Sequence, residues 1–298
     1  MRFLLGLLSS LVVSILIPAF HCPDAVAEPP QRIISLAPNI TEILFAMDLG
    51  DRVVGDTIYC DFPEAAKKKP KVGGMSNPSI EAVVSLKPDM VIMTTDGNMP
   101  EFKERLRAFK IKTYVFRARK LSELPQGIRD MGLSLGVEEK ADALAGSIAA
   151  AINKYKTSSR IQSARRKPKA KGSGSREEDQ LAAKKKVLFI VWPEPLIVAG
   201  RDVAIDDAIT LLGQDNIASR VKAPYPKYSM EEILHNPPDV ILIGQGHADM
   251  KEMSKDLLRK LALVSAVKNG KVFFLSDSLY RLGPRVVQGI EEMSRCLN

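Results

Sequence analysis

A chain of 298 residues, 45% hydrophobic and 26% charged, has the balance of a soluble globular protein and the length for two lobes of ~100–150 residues each. Its net charge of +8 suggests a nucleic-acid binder until the charge is located: the window from Lys154 to Lys186 holds 12 Lys/Arg against 3 Asp/Glu, which leaves the rest of the chain near neutrality. The run Arg165-Arg166-Lys167-Pro168-Lys169-Ala170-Lys171 lacks interleaved aromatics, so residues 161–186 read as a solvated, disordered basic insertion and nucleic acid is not an expected partner.

The chain opens on Met1-Arg2 and an apolar run from Phe3 to Phe20. Ala25-Val26-Ala27 then offers small residues at the −3 and −1 positions of a signal peptidase site. Residues 1–27 are therefore expected to be a cleaved secretory signal, with the mature chain starting at Glu28 in an oxidising compartment. Pro18 and Pro23 speak against a membrane anchor, and His21 before Cys22 fits a lipobox poorly. Cleavage leaves Cys60 and Cys296, which could pair only if the C-terminus packs near the first lobe; the sequence leaves this open.

Beyond Glu28 the pattern alternates strand and helix. Arg32 to Leu36 and Val53-Val54 read as strands, separated by a helix with a capping-box signature from Asn39 to Glu42. A helix over Ser79 to Leu86 leads to a strand at Met90 to Met93, and a helix over Pro100 to Phe109 leads to a strand at Lys112 to Phe116. An Ala-rich helical stretch runs next, from Val137 to about Tyr155. The β/α pattern restarts at Val187 to Val191, with helices at Ala204 to Leu212, Ser229 to His235, Met250 to Leu263 and Pro284 to Leu297, and strands at Val240 to Ile243 and Val272 to Leu275. This predicts an α/β fold of two βα lobes, with mostly parallel sheets, bridged by one long helix. The expected divisions are a first lobe over 28–134, a bridging helix over 135–160, the insertion over 161–186 and a second lobe over 187–298.

An internal repeat ties the lobes together. Ser79-Ile80-Glu81-Ala82-Val83-Val84-Ser85-Leu86-Lys87-Pro88-Asp89-Met90-Val91-Ile92 matches Ser229-Met230-Glu231-Glu232-Ile233-Leu234-His235-Asn236-Pro237-Pro238-Asp239-Val240-Ile241-Leu242. In both, an acid stands in the first turn, a proline stops the helix, and a strand comes after it. Glu81 and Glu231 suit the positive end of a helix dipole there.

Signatures of catalysis are missing from this sequence. It has no Walker loop, no Gly-x-Ser-x-Gly elbow and no His-Glu-x-x-His. Gly244-Gln245-Gly246-His247-Ala248-Asp249 resembles a dinucleotide loop, but an aspartate at the sixth position opposes a pyrophosphate. Two histidines after the signal, His235 and His247, are too few for an imidazole-rich metal site, so neither a resident metal nor a cofactor is expected.

From Arg32 to Leu297 the chain resembles the periplasmic-binding family whose two lobes are bridged by one helix and which serves ABC importers of cobalamin, haem and ferric siderophores. The resemblance rests on Ile34 to Glu42, Tyr59-Cys60-Asp61-Phe62-Pro63-Glu64-Ala65, the two repeats, Ala199-Gly200, Ile205-Asp206-Asp207, Asn216-Ile217-Ala218 and Pro284-Arg285. The cobalamin-binding members are the most similar. The resemblance implies that Tyr59 and Tyr225 face a corrin in the cleft and that Asp277 and Arg281 are polar cleft residues near its nucleotide side. Met75 stands where those members carry a tryptophan, and the insertion is a further departure. Trp192, at the end of a second-lobe strand, is a candidate cleft residue. Glu81 and Glu231 are implied to dock on a two-fold permease dimer in the inner membrane. The resemblance thus implies a periplasmic, monomeric binding protein, not an enzyme, for a cobalamin-like corrinoid. Haem or a ferric siderophore in the same fold is the first alternative, and an α/β hydrolase or transferase is the second.

Overall fold

The computed structural model describes residues 28–165, 184–246 and 249–297. The signal segment with Cys22, residues 166–183 of the basic insertion, and His247 lie outside them.

The first lobe is built on β1 (Ile33–Ser35), β2 (Val53–Asp56), β3 (Met90–Thr94) and β4 (Lys112–Phe116), in the spatial order β2-β1-β3-β4 with every pair parallel. Its helices are α1 (Pro38–Ala46), α2 (Glu64–Lys67), α3 (Ile80–Ser85), α4 (Pro100–Ala108) and α5 (Leu124–Leu135). Helix α6 (Glu138–Arg165) leads out of this lobe. The second lobe holds β5 (Lys186–Pro193), β6 (Leu196–Val198), β7 (Asp215–Asn216), β8 (Val240–Gly244) and β9 (Val272–Leu275). Strand order is β6-β5-β8-β9 with β7 also on β5; only β6 is antiparallel. Its helices are α7 (Ala204–Leu211), α8 (Met230–His235), α9 (Met250–Met253), α10 (Lys255–Lys260), α11 (Ser265–Lys268) and α12 (Val286–Leu297).

The internal repeat is one structural unit used twice. Ser79 and Ser229 both accept a hydrogen bond from the backbone N–H three residues on, which caps α3 and α8, and Glu232 completes a capping box on Ser229. Val83 and Ile233, equivalent positions, are both fully buried. Strands β3 and β8 then take the same third place in their sheets. Their side chains alternate with period two: Ile92 and Leu242 enter the core shared by both lobes, whereas Val91 and Ile241 enter separate outer clusters. Strands buried on both faces in this way belong to sheets covered by helices on either side.

The structure departs from the sequence pattern in three places. Ala37, not Asn39, is the N-cap of α1, and Glu42 is buried rather than closing a capping box, because an arginine from the other lobe claims its carboxylate. The stretch from Met250 to Leu263 is broken into α9 and α10 at Ser254, which is fully buried, and the last helix starts at Val286. Residues 124–135 form α5, where the sequence pattern marks out no separate helix. A left-handed Gly136 (φ 65°) ends α5, and the chain turns back at once into α6, which starts at Glu138 and continues to Arg165. Gly132 allows the two helices to meet, since a Cβ there would lie 2.1 Å from the Cβ of Ala141.

The lobes share one core. Ala141, Ala145 and Ile148 of α6 are buried with Ile128 and Met131 from the first lobe and with Ile205, Ile209, Val286 and Ile290 from the second. Cys60 and Cys296 are both free thiols, so the disulfide that the sequence left open is not formed. Cys60 is buried between Thr41 and Thr57, whose hydroxyls lie 3.1 and 3.2 Å from its sulfur.

Candidate ligand-binding cleft

In a parallel sheet the loops after the strands gather at one edge, and ligands bind in the crevice there. Here those edges of the two lobes face each other. Beyond β4, Lys120 reaches Asp202 of the second lobe at 2.6 Å, and the backbone N–H of Leu121 donates to Asp207 at 2.9 Å. Beyond β1, Asn39 donates to the carbonyl of Leu282 at 3.4 Å. Beyond β2, Asp61 pairs with Arg281 of the loop after β9. These bridges bring loops of both lobes together along one boundary.

Tyr59 belongs to the first lobe and Tyr225 to the second. Tyr59 comes after β2 in a turn and is half-buried, its ring edge 3.7 Å from where a Cβ on Gly74 would sit. The same Gly73-Gly74 loop carries Met75, whose carbonyl accepts from Asn98 at 2.7 Å and whose methyl lies against Gly97. Tyr59 and Met75 thus share one rim of the first lobe. Tyr225 comes from the second lobe and is 41% exposed, yet first-lobe groups act on its hydroxyl. Burial, reinforced by Asp96 and opposed by Arg119, pushes the phenol up to about 12. A partly exposed tyrosine beside groups of the other lobe can offer an aromatic face to a flat ligand. Tyr280, which no sequence signal singled out, packs against Gly244 and Gly246 at the end of β8, and burial with Asp277 nearby raises its phenol strongly.

The polar end of the cleft is an ionic network that crosses between lobes. Arg281 is only 6% exposed; its Nε holds Asp277 at 2.7 Å, its Nη1 bonds Asp61 and lies 3.6 Å from Glu42, and its Nη2 is buried without a hydrogen-bond partner. Arg285 forks the carboxylate of Glu42, reaches Asp277 at 3.2 Å and stacks over the Phe62 ring at 4.4 Å. Burial raises the Glu42 carboxyl while both arginines oppose it. Arg281 therefore lies beneath the cleft surface, and half-exposed Asp61 and partly buried Asp277 stand in front of it. Asp61, Glu42 and Arg285 were not expected as site residues. No local pattern could reveal them, because their partners are 220 and 243 residues away.

Two kinds of residue fall elsewhere. Trp192 packs on a cluster made wholly of second-lobe residues and donates its indole N–H to the carbonyl of Glu194 at 2.8 Å. Glu81 and Glu231 are both exposed in the first turns of α3 and α8, one per lobe. Glu81 accepts from the Ser79 hydroxyl at 2.9 Å, and bonding from the first-turn backbone lowers its carboxyl. Among the described residues no group of His, Cys, Asp and Glu is arranged to hold a metal ion, and no helix is long and apolar enough to cross a membrane.

Comparison with known proteins agrees with this geometry. The family model described as periplasmic binding protein matches residues 33–279. A vitamin B12-binding protein of Vibrio cholerae is 29% identical over 279 residues, covering 92% of both chains. An uncharacterized ABC transporter substrate-binding lipoprotein of Bacillus subtilis is 29% identical over 91% of this chain and 81% of its own. Among solved structures, the periplasmic vitamin B12-binding protein of Vibrio cholerae superposes with a TM-score of 0.72 at 27% identity, over 90% of this chain and 97% of the other. A periplasmic heme-binding protein from Roseiflexus sp. gives 0.74 at 26%, with the same coverage. With its two α/β lobes, the chain belongs to the periplasmic binding protein family, whose members bind solutes for ABC transporters and are not enzymes.

Proposed function

We propose that this protein captures a cobalamin-like corrinoid between its lobes in the periplasm, after removal of residues 1–27, and delivers it to an ABC permease in the inner membrane. The reading is supported by Tyr225 of the second lobe lying near Asp96 and Arg119 of the first, by Tyr59 as its proposed counterpart on the first lobe, and by an ionic network that crosses between the lobes. A broad, flat ligand meets aromatic faces along its plane and fixed polar groups at one end. Curated relatives named for vitamin B12 binding support the same choice. Tyr59, Met75, Tyr225, Asp277 and Arg281 form the ligand-binding set in this reading, Arg281 acting through the carboxylates that it holds. Glu81 and Glu231 are the docking residues, and the protein acts as a monomer.

The heme-binding neighbour supports a second reading with the same fold. An iron porphyrin would take Tyr59 as its ligand and lose its Soret shift in Tyr59→Phe. Calorimetric titration decides between them: cyanocobalamin is expected to bind with a submicromolar constant, ~8 kcal/mol or better. Heat with haemin and none with several corrinoids would reverse the assignment.

A further inference from the structure

We infer that the polar end of the cleft is an acceptor surface, which selects a macrocycle edged with carboxamides over one edged with carboxylates. The inference rests on the proposed ligand-binding role and adds the charge class of the ligand. Five ionisable side chains make up this end: Glu42, Asp61 and Asp277 against Arg281 and Arg285. Three carboxylates against two guanidiniums leave one negative charge in excess, and counting Lys67, which acts on Asp61, together with its partner Glu64 leaves that excess at one. The arginines are, moreover, committed to the protein. Arg285 is forked on Glu42, and Arg281 is buried with Nε and Nη1 taken by Asp277 and Asp61. Its remaining Nη2 is enclosed.

What faces solvent is the half-open carboxylate of Asp61, with Asp277 beside it. A ligand amide donates N–H to such oxygens in a charge-assisted bond, whereas a ligand carboxylate meets like charge in a partly desolvated place. Rejection by uncompensated charge is a common basis of specificity. At the opposite end Arg119 pairs with Asp96 at 2.8 Å, and Lys120 at 2.6 Å and Arg201 at 3.4 Å share Asp202.

The test compares pairs of ligands that differ only in this group. Titration of the wild-type protein with cyanocobalamin and with each of its isomeric monocarboxylic acids should show at least one acid bound ~10-fold more weakly and none bound more tightly. Asp61→Asn, which makes the five-residue set neutral, should bring the ratio of amide to acid affinity most of the way to one, whatever it does to cyanocobalamin binding itself. Asp277→Asn provides a second variant, and a single cooperative thermal transition shows that either is folded. Haemin against haemin diamide gives the same reading on the other macrocycle. Acids and amides bound equally, or acids bound more tightly, would overturn the inference while leaving a corrinoid-binding function intact. No corrinoid binding, with haemin diamide preferred to haemin, would overturn the corrinoid assignment and keep the charge preference. Binding of neither macrocycle overturns both.

Discussion

Arg285, just before α12, grips Glu42 of α1 with two prongs, Nε to Oε2 at 2.9 Å and Nη2 to Oε1 at 2.5 Å, across the boundary between the lobes. The Glu42 side chain is 1% exposed and that of Arg285 16%. Removing one member of a buried pair strands the other charge, which costs more than the pair itself contributes. Glu42→Ala is expected to lower unfolding stability by ~3–5 kcal/mol in urea titrations. Arg285→Ala should do the same, and the double variant should lose less than the sum of the two.

A second buried carboxylate gives a pH signature. Asp56 is fully buried, with Lys71 at 2.7 Å on one oxygen and no hydrogen-bond partner on the other. Burial raises its carboxyl from 3.8 to about 6, against the pull of Lys71. Its folded value lies above its unfolded value, so its contribution to stability is complete below about pH 4 and is lost as pH rises through about 6. Carboxyl NMR should find a midpoint near 6. Asp56→Asn should flatten the stability profile over that window, by about 3 kcal/mol at most.

The aromatic residues separate by position. Tyr225→Ala should weaken corrinoid binding roughly tenfold, the order of magnitude of one lost aromatic face. Trp192→Phe should leave it within about twofold, because the indole packs into the second lobe's own cluster. Calorimetry on both variants checks the contrast, and a large loss with Trp192→Phe would return that residue to the cleft.

For docking, Glu81→Ala combined with Glu231→Ala should abolish uptake through the permease in reconstituted vesicles while ligand affinity stays as in the wild type. Both side chains are exposed, so stability should change by no more than about 0.5 kcal/mol. Lost affinity in the free protein would contradict the docking role.

What was legible in the sequence was what short-range chemistry dictates. The Ser79 and Ser229 caps, the prolines that stop both helices and the apolar strands after them were all readable, and with them the paired lobes. Helix α5 was not, because it runs almost directly into α6 and only the left-handed Gly136 parts them. Glu42 misled for an instructive reason: Asn39 to Glu42 has capping-box spacing, but a tertiary partner 243 residues away offered the carboxylate a stronger bond than its own helix end could. Tyr59 and Tyr225 entered as cleft candidates through family resemblance alone. Asp61, Arg285 and Tyr280 become visible only once the loops after β2 and β9 are brought together.

Helix α6 packs against α5 of the first lobe and against α7 and α12 of the second. A helix packed on both lobes at once stores no spring that could throw the halves apart. Under the proposed function, release of the ligand therefore falls to the permease, acting through Glu81 and Glu231, one on each lobe.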